Sequence, residues 1–502
     1  MADANETMAA AAEKVEAKPQ MAEVKRSWGD EVDSEEEQEE SSKGAAADAS
    51  TSDNKDVSEL HVDNLKIEDE DFRNKELNEI DDSSIQAVTS GDTPYTSASG
   101  FDDLNLSPEL LKGLYTEMKF EKPSKIQAIS LPMILTPPHK DLIAQAHNGS
   151  GKTTCFVLGM LSRVDPANPR TQALCICPTR ELSLQNLEVL RKMGKYTGIS
   201  SQCAVPMERG NNERKPLPFI SAQVVIGTPG TLKKMMSLRK LSTDGMKVLV
   251  FDEADQMLAK DGFQDDSLRI MKEIQKSSRN CQVLFFSATF NEAVKSFVSR
   301  VAKDDANKLF VKKEELSLNA VKQYKVYCPD EQAKILVIKD RILELAEEVG
   351  QTIIFVNRRH SASMLNKALV ELGYEVTTIH GAIDVVERDR IVSEFKSGLT
   401  QVLIATDVIA RGFDQQQVNV VINYDLPIKY GTSEPDYEVY LHRIGRAGRF
   451  GRKGAIFNFL MFDSDMTAME KIEQYFRAEA TLIPSWQSDK DFKDALRAAG
   501  LL

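Results

Sequence analysis

Short runs of apolar, mostly β-branched residues recur along this sequence with little polar alternation, each followed by a stretch of helical spacing, and that repeat constrains the fold more than any other feature. The first series is DLIAQA (141–146), ALCICPT (173–179), AQVVIGTP (222–229), KVLVFDEAD (247–255) and QVLFFSAT (282–289). The second is TIIFVN (352–357), EVTTIH (375–380), QVLIATD (401–407), VNVVINYD (418–425) and GAIFNFL (454–460). A strand that is apolar on both faces has to be covered on both, and parallel sheets achieve this by returning the chain through helices packed on either side. Charged residues crowd between the series, in AKDDANKLFVKKEE (302–315), and 502 residues are too many for one core. The pattern predicts an α/β protein of two doubly wound parallel-sheet domains, 101–310 and 311–502, joined near 305–320.

The first hundred residues differ in kind. Residues 1–58 are rich in Ala, Glu, Ser and Lys, include SEEEQEE at 34–40, and hold too little apolar surface to offset the entropy of ordering, which predicts a disordered acidic tail. Residues 59–100 read as a linker. Within it, 59–88 carries Leu60, Leu65, Ile67, Phe72, Leu77 and Ile80 among charges, and reads either as a short amphipathic regulatory helix or as a solvated tether. The net charge of -14 conceals this asymmetry: residues 1–100 hold 27 acidic and 9 basic side chains, leaving 54 basic against 50 acidic in the rest. An acidic total therefore does not exclude a polyanionic partner. No stretch approaches the length of an apolar membrane span, and the acidic N-terminus lacks the basic start of a signal peptide, so a soluble protein is expected. The six cysteines show no zinc-binding spacing. Reduced thiols in cytoplasm or nucleus are expected, with Cys175 and Cys177 on one strand face.

AHNGSGKT (146–153) differs from the usual phosphate-cradling loop, GxxxxGK[ST], by Ala146 at its first position. Its setting is right: a strand leads in and a helix leads out, so Gly149, Ser150 and Gly151 stand where backbone amides approach phosphates at a helix N-terminus. Lys152 would then reach the β and γ phosphates and Thr153 would hold Mg2+. VLVFDEAD is an apolar strand ending in carboxylates, the form of a metal-binding and water-positioning pair, Asp252 and Glu253. Residues 442–452 read as a strand-following loop whose Arg443, Arg446, Arg449 and Arg452 call for an anion, either a nucleotide or an RNA backbone.

These segments, with KFEKPSKIQ (119–127), PTRELSLQ (178–185), TPGTL (228–232), SAT (287–289), IIFVNRR (353–359), TDVIARGFD (406–414) and HRIGRAGRFGR (442–452), resemble the DEAD-box ATP-dependent RNA helicases over about 101–480. The resemblance implies two tandem RecA-like domains, an RNA-stimulated ATPase, and ATP with Mg2+ as cofactors. It implies Phe120 and Gln127 at the adenine, Asp414 at the ribose, and Arg446 and Arg449 as arginine fingers on the γ phosphate. Ser287, Thr289 and His442 would couple hydrolysis to the domains. Thr179, Arg180, Thr228, Gly230, Thr231, Arg358 and Thr406 would hold the RNA backbone without reading sequence, and affinity should fall with salt.

In this family the first loop position is commonly a small residue, so Ala146 is no defect. His147 and Asn148, Val385 where Gln is usual beside Arg388, and PMERGNN (206–212) without paired glycines depart from the pattern. The longer KYGTSEPDYEVY before HRIGR, with KPLPFISAQVVIGTPG (215–230), is similar to the subfamily that remodels exported messenger ribonucleoprotein at the cytoplasmic side of the nuclear pore. That likeness implies a monomer with a nucleoporin and a pore-associated activator carrying inositol hexakisphosphate as partners, in cytoplasm, nucleus and nuclear envelope. A helicase of translation initiation and an ATP-gated RNA clamp are the alternatives.

Overall fold

The computed structural model describes residues 85–89, 95–146, 149–206, 218–259, 262–311, 321–345, 349–407, 417–448 and 452–502. The tail at 1–58, the stretch 59–84, His147, Asn148, Asp414, Arg449 and most of PMERGNN lie outside them.

Two sheets carry the fold. The first has eight strands in the order β1-β8-β2-β7-β6-β3-β5-β4, where β1 is Ile85–Val88, β2 Leu142–Gln145, β3 Ala173–Ile176, β4 Ser201–Ala204, β5 Val224–Gly227, β6 Val248–Phe251, β7 Gln282–Ser287 and β8 Asn307–Val311. All neighbours pair parallel except β1 with β8. The second sheet is wholly parallel, ordered β11-β12-β10-β13-β14-β9-β15, with β9 Val321–Tyr327, β10 Gln351–Phe355, β11 Val376–Ile379, β12 Val402–Ala405, β13 Val418–Asn423, β14 Gly454–Leu460 and β15 Thr481–Leu482.

The central strands β2, β3, β5, β6, β7, β10, β12 and β14 are buried at every residue, as runs without polar alternation must be when helices cover both faces. The covering helices are amphipathic. Phe263–Ser277 turns Leu268, Ile270, Met271 and Ile274 inward and leaves its charges outside. Cys175 and Cys177 share one face of the β3 segment, their sulfurs 3.7 Å apart, and all six cysteines are free. Among the described residues no helix is long and apolar enough to cross a membrane.

Three expectations change. Ile85–Val88, the end of the stretch read as a helix or tether, is a strand antiparallel to β8, so the first sheet begins before residue 101. The charged stretch 302–315 is more than a joint: NKLFV within it forms β8 beside β2, with Leu309 buried and Asn307 bonding from its backbone N–H to the Asp141 carbonyl at 2.8 Å. The start of the stretch 442–452, read as loop, is instead the end of a helix, Tyr437–Ile444, capped by Asp436, whose carboxylate accepts from the Val439 N–H at 3.0 Å. The longer segment before it folds as a tight hairpin, bridged at Ile428 and Pro435, with Tyr430 at its exposed tip.

Gly227 ends β5 just before Thr228, and a Cβ there would lie 2.2 Å from the Ala204 carbonyl oxygen on β4. Backbone on both sides cannot yield as a side chain would. Gly227→Ala should therefore destabilise the first domain by about 1–3 kcal/mol, read as a lower denaturant midpoint of its unfolding transition.

Candidate nucleotide and RNA site

In open parallel sheets ligands bind outside the carboxyl ends of the strands, and the candidate residues fall there. Gly149 to Thr153 follow β2, Asp252 and Glu253 follow β6, and Ser287 ends β7. Because β2, β7 and β6 are adjacent, these segments form one group. Thr179 follows β3 and Thr228 follows β5, the next strands along, so the hydroxyls assigned to RNA form a second group beside the first. In the other sheet Arg358 follows β10 and Thr406 follows the neighbouring β12.

The loop after β2 is fixed at its helix end by glycine. Gly151 caps the helix Lys152–Arg163 at φ 92, with no side-chain cap on the first-turn amides. A Cβ there would meet the Gln127 amide nitrogen at 2.3 Å, so glycine is required twice over. Gln127 closes a capping box with Ser124 and donates to the Gly151 carbonyl at 3.3 Å, tying the segment expected at adenine to the loop. Phe120 is half-buried and stacks on Phe101 at 6.4 Å between centroids. Lys152, nearly buried, donates to the Ala146 carbonyl at 2.7 Å, and Ser150 Oγ is a buried polar atom with no partner among the described residues.

Three carboxylates follow β6 in a row of buried positions. Burial pushes the Asp252 carboxyl up to about 7, the neighbouring Glu253 adds to this, and Lys152 with the Asn186 amide opposes it. Asn186 donates to Asp252 Oδ2 at 2.7 Å and the Glu253 N–H to Oδ1 at 3.0 Å. Glu253 itself sits at φ 48, the sparsely populated left-handed region for a side-chain residue. Burial would also raise Asp255, but the hydrogen bond and charge of His442, with Lys152 and Thr289, outweigh it and hold that carboxyl well below the usual range. Thr289 donates to Asp255 Oδ2 from its hydroxyl at 2.9 Å and its N–H at 3.1 Å, and the Ser287 hydroxyl donates to the Thr289 carbonyl at 2.7 Å.

The second domain completes this cluster. His442 places Nε2 3.4 Å from Asp255 Oδ2, and Arg446, 2% exposed, donates from Nε to the His442 carbonyl at 3.0 Å. Arg443, expected to meet an anion, is wholly buried in its own domain instead: it bonds Asp407 Oδ1 at 2.8 Å, the Asp425 carbonyl at 2.7 Å and Asn357 Oδ1 at 2.9 Å. Its role is to clamp the ends of β10, β12 and β13 together.

Arg180, assigned to RNA, makes a bidentate pair with Asp389 at 2.5 and 2.9 Å. The next residue, Glu181, meets Arg388 at 3.2 Å, a reciprocal clasp between the helices Arg180–Met193 and Val385–Lys396. Thr179 spends its hydroxyl as N-cap, accepting from Leu182 N–H at 3.2 Å, and Thr228 donates to Thr231 at 3.2 Å. Gly230 and Thr231 open the helix Pro229–Ser237. Sequence reasoning missed Asn186, Gln256, Asp255, Glu181 and Asp389. Asp255 lies in the carboxylate run and Glu181 in PTRELSLQ, but neither motif singles them out; Asn186, Gln256 and Asp389 are polar helix positions that carry no signal until the fold gives them neighbours.

The models of two families match: DEAD/DEAH box helicase over residues 124–297, and the helicase conserved C-terminal domain over 333–451. The chain is 66% identical over 448 residues to DEAD-box ATP-dependent RNA helicase 38 of Arabidopsis thaliana, covering 89% of this chain and 90% of that one. It is similar to the structure of S. cerevisiae Dbp5 bound to RNA and ADP BeF3, with a TM-score of 0.72, 39% identity, and 80% and 99% of the two chains covered. It is also similar to a point variant of S. cerevisiae Dbp5 bound to Nup159, a Gle1 variant, IP6 and ADP, with a TM-score of 0.56, 37% identity, and 78% and 100% covered.

The Asp252 shift has a thermodynamic sign. An unfolded chain ionises this carboxyl near pH 4, whereas the folded chain keeps it protonated up to about 7. Its contribution to stability is therefore greatest at low pH and is lost as pH rises through that window. Asp252→Asn, which imitates the protonated form, should be more stable than the parent at pH 8 without nucleotide or metal. That advantage should shrink toward pH 5 in paired denaturation curves.

Proposed function

Because the chain belongs to the DEAD-box ATP-dependent RNA helicases, we propose that it hydrolyses ATP at the junction of its two sheets and uses domain closure to remodel RNA–protein complexes or open short RNA duplexes. The observation that carries this is the contact of His442 with Asp255, which joins the carboxylates after β6 to the arginine-bearing helix end of the other domain. Catalytic groups split in this way are assembled only on closure.

The ligand roles follow from chemistry. The Gly149–Thr153 turn would receive the β and γ phosphates on backbone N–H groups and Lys152, with Phe120 and Gln127 toward adenine and Asp414 toward ribose. The residues present fit Mg2+: Asp252 offers a carboxylate whose burial penalises charge until a cation arrives, and the start of the helix after β2 offers the Thr153 hydroxyl and Ser150 Oγ, the latter without a partner among the described residues. Bound there, Mg2+ would neutralise phosphate charge. Glu253 orients and deprotonates the attacking water, and Arg446 with Arg449 stabilises the charge that develops on the γ phosphate. Thr179, Arg180, Thr228, Gly230, Thr231, Arg358 and Thr406 would grip RNA phosphates in a sequence-independent way. Arg180 must then exchange Asp389 for phosphate or share the two.

The likeness to Dbp5 in its complexes with RNA and with Nup159, Gle1 and IP6 supports the narrower reading of a helicase of mRNA export. On that reading the chain acts at the nuclear pore and in cytoplasm and nucleus, with a nucleoporin and an activator carrying inositol hexakisphosphate as partners.

Steady-state ATP hydrolysis with and without single-stranded RNA tests the core reading. Turnover should rise with RNA and fall by roughly 10²-fold or more in Glu253→Gln and in Arg446→Ala, losses typical of preorganised transition-state groups. RNA-independent turnover that survives Glu253→Gln would overturn it.

A further inference from the structure

The residue after the DEAD segment, Gln256, has no part in the roles above, yet it sits between the two groups that matter most. It is 2% exposed. Its amide nitrogen donates to Glu253 Oε2 at 2.5 Å and lies 3.5 Å from His442 Nδ1. An amide nitrogen carries two hydrogens, so one can serve each partner.

The orientation of this amide is determined by its neighbours. Turned over, it would set its oxygen against the Glu253 carboxylate and lose both donor contacts. As it stands, Oε1 is buried with no hydrogen-bond partner among the described residues. A buried acceptor left unsatisfied is a cost that the two nitrogen contacts must offset. With Nε2 of His442 facing Asp255 Oδ2 at 3.4 Å, a neutral ring protonated at Nε2 would present Nδ1 as acceptor to Gln256.

Glu253 needs such a hold. Its backbone is in the left-handed region at φ 48, and Gln256 supplies a direct donor to its carboxylate. A carboxylate that must point at water requires a directional partner. Gln256 lies three residues on, at the start of the helix Ala254–Ala259, and reaches back across one turn.

We propose that Gln256 is a positioning residue that links the orientation of Glu253 to domain closure: only when the second domain brings His442 into contact is the amide fixed from both sides, and only then is the Glu253 carboxylate held for attack. This rests on the assignment of Glu253 as the residue that orients the water. RNA and ATP would promote turnover partly by completing this bridge.

The test is RNA-stimulated ATPase of the full chain with Gln256→Met, which keeps the length and removes the donors, and Gln256→Glu, which replaces them with a second carboxylate. In Gln256→Met kcat should fall about 10- to 100-fold, the usual loss when an outer partner of a catalytic group is removed. KM for ATP, half-saturation by RNA and the thermal midpoint should be unchanged, and Gln256→Glu should lose more. Met and Glu would cost alike if the side chain merely filled space. A double-mutant cycle with His442→Ala then asks whether the two residues act together. Non-additive losses support the bridge, whereas additive losses, an unchanged kcat, or a rise in KM alone overturn it. Glu253→Gln, run alongside, separates the failures: if it retains turnover the assignment of Glu253 falls, whatever Gln256 does.

Discussion

A buried carboxylate needs partners, and Asp255 takes one of its partners from the other domain. It is 1% exposed, bonded to Thr289 on its own side and set against His442 on the other. Leaving such a charge buried without a counter-group is expensive, so the arrangement makes domain contact and site assembly one event. Lys152, Asp252 and Glu253 lie in the same electrostatic neighbourhood, since Lys152 acts on both Asp252 and Asp255. Phosphates entering this cluster would alter every member of it.

The clasp at the far side of the junction is of another kind. Arg180 and Asp389 are 20% and 46% exposed at the side chain, and pairs that accessible contribute little after screening and side-chain entropy. They align the helices Arg180–Met193 and Val385–Lys396 without locking them. The companion pair Arg388–Glu181 is less accessible, 15% and 10% exposed, so the clasp combines one screened pair with one partly buried pair.

Much of this is legible in the sequence. The strands without polar alternation were found with their order and class, because burial on both faces leaves a period that cannot be confused with a half-exposed strand. The strands that escaped, β1, β4, β8, β9 and β15, lie toward the edges or alternate in polarity: β9 reads VKQYKVY, and β8 hides in charge because Lys308 flanks the buried Leu309. The loop after β2 and the carboxylates after β6 are equally easy to locate in the sequence, since each follows a mostly apolar strand. Charge pattern alone does not separate the four arginines at 443–452. Arg443 and Arg446 differ by one helical turn, yet the first is spent inside its own domain on Asp407, Asn357 and Asp425.

That division follows from where a helix ends. Tyr437–Ile444 stops at Gly445, so Arg443 still projects from the helix toward the strand ends of its own sheet, where the carbonyl of Asp425 and the side chains of Asn357 and Asp407 form a ready-made guanidinium cradle. Beyond the helix the chain turns, and Arg446 donates back to the His442 carbonyl, which the same turn has left without a helical successor. His442 is thereby held twice, by its own backbone in one domain and by its ring on Asp255 in the other. Placement of a candidate arginine finger and of the interdomain histidine are thus not independent: the geometry that fixes one carries the other to the junction.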